Sequence, residues 1–220
     1  MATVKTLESE VLPLQRGAEP ALIARILAGE HKLFHDLVRP YERSVYLTAF
    51  SVVRNHADAE EAAQEAMLKA FLNLRRLSSA EKFKPWLLKI AINEGRLKRR
   101  NAHLHLFESL ESDDRNGPVF VPRNLAEWRE DPLEIVERQE IRDKIARALR
   151  GLPQIYREVF LLRDVEQLSV EECSQTLGIG KEAVKVRLHR ARLMMRERLS
   201  PIFKKPWLSR IFPGKGRKPW

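Results

Sequence analysis

Apolar residues recur at intervals of three and four along most of this chain, which is the spacing of amphipathic helices. The pattern predicts successive helices from Pro20 to about Leu77, another from Pro85 to Arg100, and further helices from about Leu133 to Leu199. No stretch shows the sustained alternation of apolar and polar residues that a half-buried strand requires. The sequence therefore predicts an all-α fold.

Composition divides this helical pattern into two small domains. The segment between them is rich in acids and is interrupted by Gly117, Pro118, Pro122 and Pro132, which predicts a flexible acidic linker. We expect the following divisions: a mobile N-terminus (1–19), a first domain (20–100), the linker (101–134), a second domain (135–199) and a basic tail (200–220).

Local signals predict where the helices of the first domain begin. Asp58, with Glu61 three residues later, resembles an N-cap with a capping box. Leu77–Lys84 is polar and is predicted to be a loop, and Pro85 suits the first turn of the next helix.

The predicted helix from Pro85 to Arg100 separates its apolar and cationic residues by face. At about 100° per residue, Trp86, Ile90 and Leu97 fall together and are predicted to be buried. A separate polar stripe can follow phosphates and offer one amide to a base edge. It consists of Lys89, Asn93, Arg96 and Arg100. A solvated face is the alternative, although Glu94 is the helix's one acid.

Two aromatic residues near the start of this helix are open to two interpretations. Aromatic side chains beside cations can stack on unpaired bases, whereas an aromatic residue at the apolar centre of a helix is more often core. We predict that Trp86 is a core residue and that Phe83, placed in the loop, has a binding role.

The segment Leu168–Arg198 predicts a helix-turn-helix, with a turn at Gly178–Gly180 and a cation-rich second helix. A buried stripe is predicted at Val184, Leu188, Ala191 and Met195. Because the N-terminal half of such a helix reads the groove, the candidates for base contact are Lys181, Lys185, Val186, His189 and Arg190, with Arg187 flanking them. Arg192 is predicted to meet phosphate or solvent.

The net charge of +10 favours a polyanionic partner, although a solvated basic surface without a partner would have the same composition. Cys173 is the single cysteine, which excludes an intrachain disulfide and favours a reducing compartment. No signal peptide or long apolar segment is apparent, so we expect a cytoplasmic protein.

Metal, cofactor and catalytic motifs are weak in this sequence. His31 with His35, and His103 with His105, could each be half of a metal site, but no further ligands complete either pair. No phosphate-binding glycine loop, nucleophile elbow or catalytic carboxylate pair is present. We therefore expect no metal, no cofactor, no small-molecule substrate and no enzymatic activity.

Four segments, taken in order and with their spacing, resemble one family. They are DAEEAAQEAMLKAF (Asp58–Phe71), FKPWLLKIAINEGRLKRR (Phe83–Arg100), LPQIYREVFLLRDVEQLSVEECSQTLGI (Leu152–Ile179) and KEAVKVRLHRAR (Lys181–Arg192). Together they resemble a bacterial RNA polymerase sigma factor of the sigma-70 family, extracytoplasmic-function (ECF) subgroup.

This resemblance implies a promoter-specificity subunit that binds core RNA polymerase and promoter DNA and melts the −10 element. It implies that the −35 element is read by Lys181, Lys185, Val186, Arg187, His189, Arg190 and Arg192. It implies that the −10 element is bound by Phe83, Lys84, Lys89, Asn93, Arg96 and Arg100. The polymerase β′ clamp helices would be contacted by Asp58, Glu61, Gln64 and Glu65. The surface around Leu152–Arg163 would meet the β flap, and an anti-sigma factor is left open as a further partner.

The chain departs from the family pattern at several positions. Ala62-Ala63 and Ala66-Met67 stand where larger or hydroxyl residues are common, which thins the packing, and Ala183 stands where a hydroxyl is usual. Two other classes stay open on the sequence: a stand-alone regulator that shares only the helix-turn-helix, and a polymerase-binding inhibitor. Tight operator binding by the free protein would favour the first, and run-off transcription would identify the second.

Overall fold

The computed structural model of the protein describes residues 19–106 and 143–203, which form helices and the turns between them. The predicted all-α fold is confirmed. The N-terminal domain (19–106) contains α1 Glu19–Leu27, α2 Leu33–Val38, α3 Glu42–Val53, α4 His56–Asn73 and α5 Phe83–Leu106. The C-terminal domain (143–203) contains α6 (143–150), α7 Gln154–Phe160, α8 Val170–Leu177 and α9 Lys181–Phe203. Residues 1–18 of the predicted mobile N-terminus, 107–142 (most of the acidic linker and the start of the predicted second domain) and 204–220 (most of the basic tail) lie outside the described residues, whereas Glu19 begins α1.

The corner between α3 and α4 depends on two consecutive residues. Arg54 ends α3 in the left-handed conformation (φ 67°), and its N–H donates to the Phe50 carbonyl. The Asn55 side chain then caps α4 by accepting from the N–H groups of Ala57 (2.8 Å) and Asp58 (3.4 Å). The prediction that Asp58 is the N-cap is therefore wrong, because Asn55 satisfies the first amides and places Asp58 inside the helix.

Small residues let the three long helices of the N-terminal domain approach closely. The buried face of α4 consists of Ala59, Ala62, Ala63, Ala66 and Ala70. On α5, a Cβ added at Gly95 would lie 3.0 Å from Val52 Cβ and 3.4 Å from the Ala49 carbonyl oxygen of α3. The alanines of α4, which are small for a buried face, thus allow α3 and α5 to pack close to this helix.

Helix α5 has a different buried face from the predicted one. Its buried apolar residues are Phe83, Leu87, Leu88, Ala91 and Ile92. Of the residues predicted to be buried, Trp86 and Ile90 are partly covered and Leu97 is 36% exposed. The reason is that α5 contacts α3 and α4 on one side and α8 on another, so a single apolar stripe does not describe it. The helix also begins at Phe83 and continues to Leu106, into the segment predicted to be linker.

The helix-turn-helix forms as its sequence predicts. Ser169 and Glu172 make a reciprocal capping box at the start of α8, with N···O distances of 3.1 and 2.7 Å. Gly178 ends α8 at φ 70°, and the Ser174 hydroxyl donates to the Ile179 carbonyl (2.6 Å). The turn therefore presents α9 at a defined angle to α8.

The two domains pack against each other in this structure. One continuous apolar cluster joins the N-terminal core to residues of α7, of the helical turn Leu161–Val165, of α8 and of α9, including Val159, Leu162, Cys173 and Val184. A smaller cluster within the C-terminal domain contains Ala148, Leu152, Ala191 and Met195. Two helical domains were predicted from the sequence, and their contact was not.

Candidate nucleic-acid interfaces

Helix α9 has one apolar side and one cationic side. The predicted buried stripe is confirmed, because Val184, Leu188, Ala191 and Met195 are each at most 7% exposed. This stripe packs α9 against α7 and α8. The opposite side, which carries the predicted −35 residues, faces solvent.

The α9 candidates differ in how firmly the protein holds them. Lys181, Lys185, Val186, His189, Arg190 and Arg192 are exposed, and Arg187 is half-buried. Lys181 pairs with Glu171. Lys185 pairs with Glu182 at 2.7 Å. Arg190 donates to the Tyr156 hydroxyl at 3.3 Å. These are single contacts at an exposed surface, which cost little to exchange for a phosphate.

Arg192 is the exception on this helix. Its Nε and Nη2 donate to the two carboxylate oxygens of Asp164, at 2.9 and 2.6 Å. This bidentate pair raises the pKa of Arg192 through the hydrogen bonds to Asp164. A phosphate must therefore compete with a well-oriented carboxylate for this guanidinium.

Helix α5 carries the second cationic surface. The predicted stripe is exposed, since Lys89, Asn93, Arg96 and Arg100 all lie on the solvent-facing side of the helix. Lys84, one turn before Leu88, is half-buried and pairs with Glu166 of the C-terminal domain at 3.0 Å. Arg96 pairs with Glu158 of the same domain at 3.0 Å. Two of the six predicted −10 residues are thus engaged by the other domain.

Phe83 does not have the open position that the sequence suggested. It is 1% exposed, and its ring packs edge-on against Tyr41 (centroids 5.6 Å apart) and beside Trp86 (6.0 Å). Phe83 is the first residue of α5, and burial of its ring anchors the preceding loop to the core. Direct stacking of a base on Phe83 is therefore excluded in this conformation, and the partly exposed aromatic neighbours are Tyr41 and Trp86.

A small cavity lies beside this aromatic group at the end of the loop before α5. Its volume is about 140 Å³, and both carboxylates and rings surround it. The lining residues are Glu19, Pro20, Tyr41, Ala80, Glu81, Phe83 and Lys84. The Tyr41 hydroxyl donates to Glu19 at 2.7 Å, and Ser79 donates to Glu81, so the carboxylates are oriented. Such a site can accept a flat group that bears hydrogen-bond donors.

Helix α4 presents the predicted acidic surface. Glu61, Gln64 and Glu65 are exposed, Asp58 is half-buried, and Glu61 forms an ion pair with Lys98 of α5. The sequence interpretation missed two leucines that continue this face at helical spacing: Leu68 is 52% exposed and Leu72 is 68% exposed. Neighbouring exposed leucines beside oriented acids are typical of a protein-binding surface rather than a DNA-binding one. The spacing 61, 65, 68, 72 was the signal that could have found them.

The α7 surface expected to meet the β flap is largely covered. Arg157, Glu158 and Val159 are at most 4% exposed, because α7 packs against α3. Arg157 donates from Nε to the Ser51 carbonyl at the end of α3 (2.7 Å) and from Nη1 to the Arg150 (3.1 Å) and Leu152 (3.2 Å) carbonyls. Burial, together with the nearby Arg54 charge, lowers the pKa of Arg157 to about 10, so the side chain remains a cation at neutral pH.

Other chemistry does not converge within the described ranges. Three or more His, Cys, Asp or Glu side chains nowhere cluster there as metal ligands would. Cys173 is a fully buried core residue on α8, and burial raises the pKa of its thiol to about 11. None of the helices described is long and apolar enough to span a bilayer.

Comparison with known proteins gives one consistent result. The family described as "Sigma-70 region 2" matches residues 37–103, and "Sigma-70, region 4" matches residues 142–195. SigW of Bacillus subtilis, an ECF RNA polymerase sigma factor, is 28% identical over 179 residues, which span 80% of this chain and 94% of SigW. The ECF sigma factor SigE of Mycolicibacterium smegmatis is 30% identical over 166 residues, or 75% of this chain and 61% of SigE.

Two solved structures share the fold, each with a TM-score of 0.57 and 22% identity. CnrH in complex with the cytosolic domain of CnrY matches over 84% of this chain and 98% of CnrH. RpoE in complex with the anti-sigma factor NepR, from Bartonella quintana, matches over 76% of this chain and 96% of RpoE. The chain belongs to the sigma-70 family, in its ECF subgroup, and is thus a sigma factor for promoter-specific transcription initiation.

Proposed function

We propose that this sigma factor binds core RNA polymerase, reads −35 duplex through α9 and engages the −10 element through α5 and the loop before it. The observation that carries the proposal is the pair of solvent-facing cationic surfaces, one on each domain. A repressor that acts alone needs the helix-turn-helix only, and the cation stripe of α5 would have no purpose in it. Core polymerase supplies the catalytic activity, because sigma factors are not enzymes themselves.

At the −35 element, α9 enters the major groove with its N-terminal half. Lys185, His189 and Arg190 face solvent on the side opposite the buried stripe, so they reach base edges when α9 lies in the groove. Lys181 and Arg187 flank them and contact phosphate. Val186 is 52% exposed and offers an apolar contact for a thymine methyl group.

At the −10 element, the α5 stripe follows the phosphates of the separated strand, and Asn93 offers an amide to a base. An unstacked base enters the cavity beside Tyr41 and Lys84, where the Glu19 and Glu81 carboxylates accept hydrogen bonds from an exocyclic amine. Phe83 acts as the buried floor of this site and supports it without contact to the stacked face of the base. This role replaces the direct stacking that its sequence position suggested.

Helix α4 binds the β′ clamp helices through Asp58, Glu61, Gln64 and Glu65, and Leu68 and Leu72 extend this surface. Burial of these two exposed leucines against the partner would add a hydrophobic contribution to the binding free energy of an otherwise polar interface. We further propose an anti-sigma factor as a regulatory partner, the class of protein to which RpoE is bound in its solved complex.

Reconstituted transcription tests this function. Purified protein and core polymerase are incubated with fragments of the source genome, and promoter-dependent transcripts are mapped. On a promoter found this way, the double variant Lys185→Ala with His189→Ala is expected to lower −35-dependent transcription about tenfold or more, since each base contact contributes about 1–3 kcal/mol. Core binding, measured by co-purification, is expected to be unchanged.

The control is Lys32→Ala, which removes an exposed cation from the N-terminal domain, outside every proposed interface. The absence of any promoter-dependent transcript would contradict the proposal. Tight binding of an operator by the free protein would favour the stand-alone regulator instead, and general inhibition of run-off transcription would favour the polymerase inhibitor.

A further inference from the structure

Helix α4 has one face that the rest of the described protein does not cover. Its alanine side packs against α3 and α5, and the opposite side carries acids nearer its start and leucines nearer its end, namely Glu61, Glu65, Leu68 and Leu72. The two leucines are 52% and 68% exposed. Glu61 pairs with Lys98 of α5, whereas Glu65 makes no ion pair within the described residues. The face is therefore acidic first and apolar second, in that order along the helix.

The sequence of residues 204–220 carries the complementary chemistry in the same order. This tail segment has six cations and no acid. Two of the cations come first, Lys204 and Lys205, and large apolar residues follow them, namely Trp207, Leu208, Ile211 and Phe212. If the segment ran alongside α4 in the same direction, cations would meet acids and apolar residues would meet the exposed leucines.

Hydrogen bonds place the end of α9 near the start of α4. Arg198 of α9 donates from Nη2 to the Gly151 carbonyl at 2.8 Å. Arg54 donates from Nη2 to the carbonyl of the preceding residue, Arg150, at 3.2 Å, and only the N-cap residue separates Arg54 from α4. Helix α9 ends at Phe203, about 7 Å beyond Arg198 along the helix axis. The tail segment therefore starts within a short distance of the acidic end of the α4 face.

The lengths of the two segments also match. From Glu61 to Leu68, α4 advances about 10 Å, and an extended chain advances about the same distance from Lys205 to Leu208. Residues 204–220 can span up to about 55 Å when extended, about twice the length of α4. Because the segment belongs to the same chain, its effective concentration at α4 is on the order of millimolar, so a weak contact is enough to hold it there.

We propose that residues 204–212 dock on the α4 face of the free protein, with the lysine pair on the acids and the apolar residues on the leucines, and so compete with core polymerase for α4. This inference rests on the proposed function, because it takes α4 as the polymerase-binding surface. Polymerase binds only the molecules in which the face is open, so docking lowers the apparent affinity by that fraction. The tail is thus a built-in competitor that sets the affinity of the protein for polymerase.

Distances between spin labels on the full-length protein test the docking. Arg75→Cys, at an exposed position about one turn beyond Leu72, and Ser209→Cys in the tail form the reporting pair. Cys173 stays unlabelled because it is fully buried. We expect one short, narrow distance distribution in the free protein, and a longer and broader one after core polymerase is added. The control pair, Arg75→Cys with Arg43→Cys, lies within the N-terminal domain and is expected to be unchanged.

Affinity for core polymerase tests the competition. Trp207→Ala removes the largest apolar side chain that is aligned with the leucines, and we expect the variant to bind core polymerase about fivefold more tightly than wild type. A gain of this size corresponds to docking in about four fifths of the free molecules. Trp220→Ala is the matched control, because it makes the same change in the same segment beyond the aligned residues, and its affinity is expected to equal that of wild type. Neither substitution lies in a described helix, and circular dichroism would verify that the fold is kept.

A broad distance distribution in the free protein would overturn the docking, and equal core affinities of wild type and Trp207→Ala would overturn the competition. If the tail stayed away from α4 but bound duplex DNA or vesicles of anionic phospholipid, and Trp207→Ala abolished that binding, the tail would belong to that partner and the inference would be wrong. Failure of the proposed function would be seen separately: the free protein would show the short distance, but no promoter-dependent transcript would form with core polymerase.

Discussion

Helices α5 and α9 both carry exposed cations, but they are packed in different ways. Helix α9 rests on α7 and α8 along one stripe and exposes its other side. Helix α5 is covered by α3 and α4 on one side and by α8 on another. The cations of α9 are therefore held mainly by neighbours in their own domain, whereas Lys84 and Arg96 of α5 are held by the other domain. A helix with one packed side leaves its cations open on the other side, whereas a helix between two packed layers shares some of its cations with the neighbouring domain.

The largest effect expected from this comparison concerns the buried face of α5. Leu87 is fully buried, and Leu87→Ala is expected to lower the free energy of unfolding by about 3 kcal/mol through lost burial and the cavity left behind. Leu97 is 36% exposed, so Leu97→Ala should cost less than about 1 kcal/mol. Urea unfolding monitored by circular dichroism measures both. If Leu97→Ala proved the more damaging of the two, the register of α5 described above would be wrong.

A smaller effect is expected at the closest approach of α5 to its neighbours. Gly95→Val places new atoms against Val52 and the Ala49 carbonyl and is expected to cost about 2 kcal/mol by overpacking. Gly180→Ala, at the start of α9, is the comparison, because an added Cβ there meets nothing within 4 Å. Only the N-cap preference changes, so the cost should stay below about 1 kcal/mol. Equal costs in urea unfolding would mean that α5 is no more tightly packed than the start of α9.

The smallest effect is expected on α9 itself. Asp164→Asn removes the charge that holds Arg192 and frees this guanidinium for phosphate. Affinity for promoter DNA in the polymerase complex should rise about two- to threefold, with a salt dependence steeper by up to about one phosphate contact. Glu197→Gln makes the same charge change at an exposed position on the same helix and serves as the control. A fall in affinity for Asp164→Asn would show that the Asp164–Arg192 pair helps to position α9 for DNA and does not keep Arg192 from phosphate.

The buried stripe of α9 was predicted correctly because only one side of this helix is packed against the rest of the protein. Only one face of α9 carries apolar residues at helical spacing, namely Val184, Leu188, Ala191 and Met195. The capping box at Ser169 and the left-handed Gly178 show where α8 begins and ends. Those signals are local, so no knowledge of the rest of the fold is needed to interpret them.

The sequence failed on α5 for the opposite reason. Apolar residues occur around much of this helix, and the correct choice between the faces of Leu87 and Leu97 depends on the positions of α3, α4 and α8. The exposed positions of Lys89, Asn93, Arg96 and Arg100 agree with the predicted stripe, because cations avoid burial whichever apolar face is chosen. The roles in DNA binding assigned to these residues and to those of α9 stay predictions until the experiments above are done.

Contact between the domains could not be predicted from the sequence at all. Glu158 and Glu166 lie far along the chain from Arg96 and Lys84, and no local pattern relates them. The same is true of Leu68 and Leu72, whose exposure on α4 depends on which face the alanine stripe of that helix buries.

Arg157 has a consequence for how easily the molecule can change shape. Its guanidinium is kept away from water with backbone carbonyls as its hydrogen-bond acceptors. Separating the domains breaks the hydrogen bond to the Ser51 carbonyl and exposes this ion to solvent, while the bonds to Arg150 and Leu152 lie within its own domain. Its rehydration offsets part of the apolar contact that is lost. Arg157 therefore makes the two domains less costly to separate than a wholly apolar contact of the same size would be.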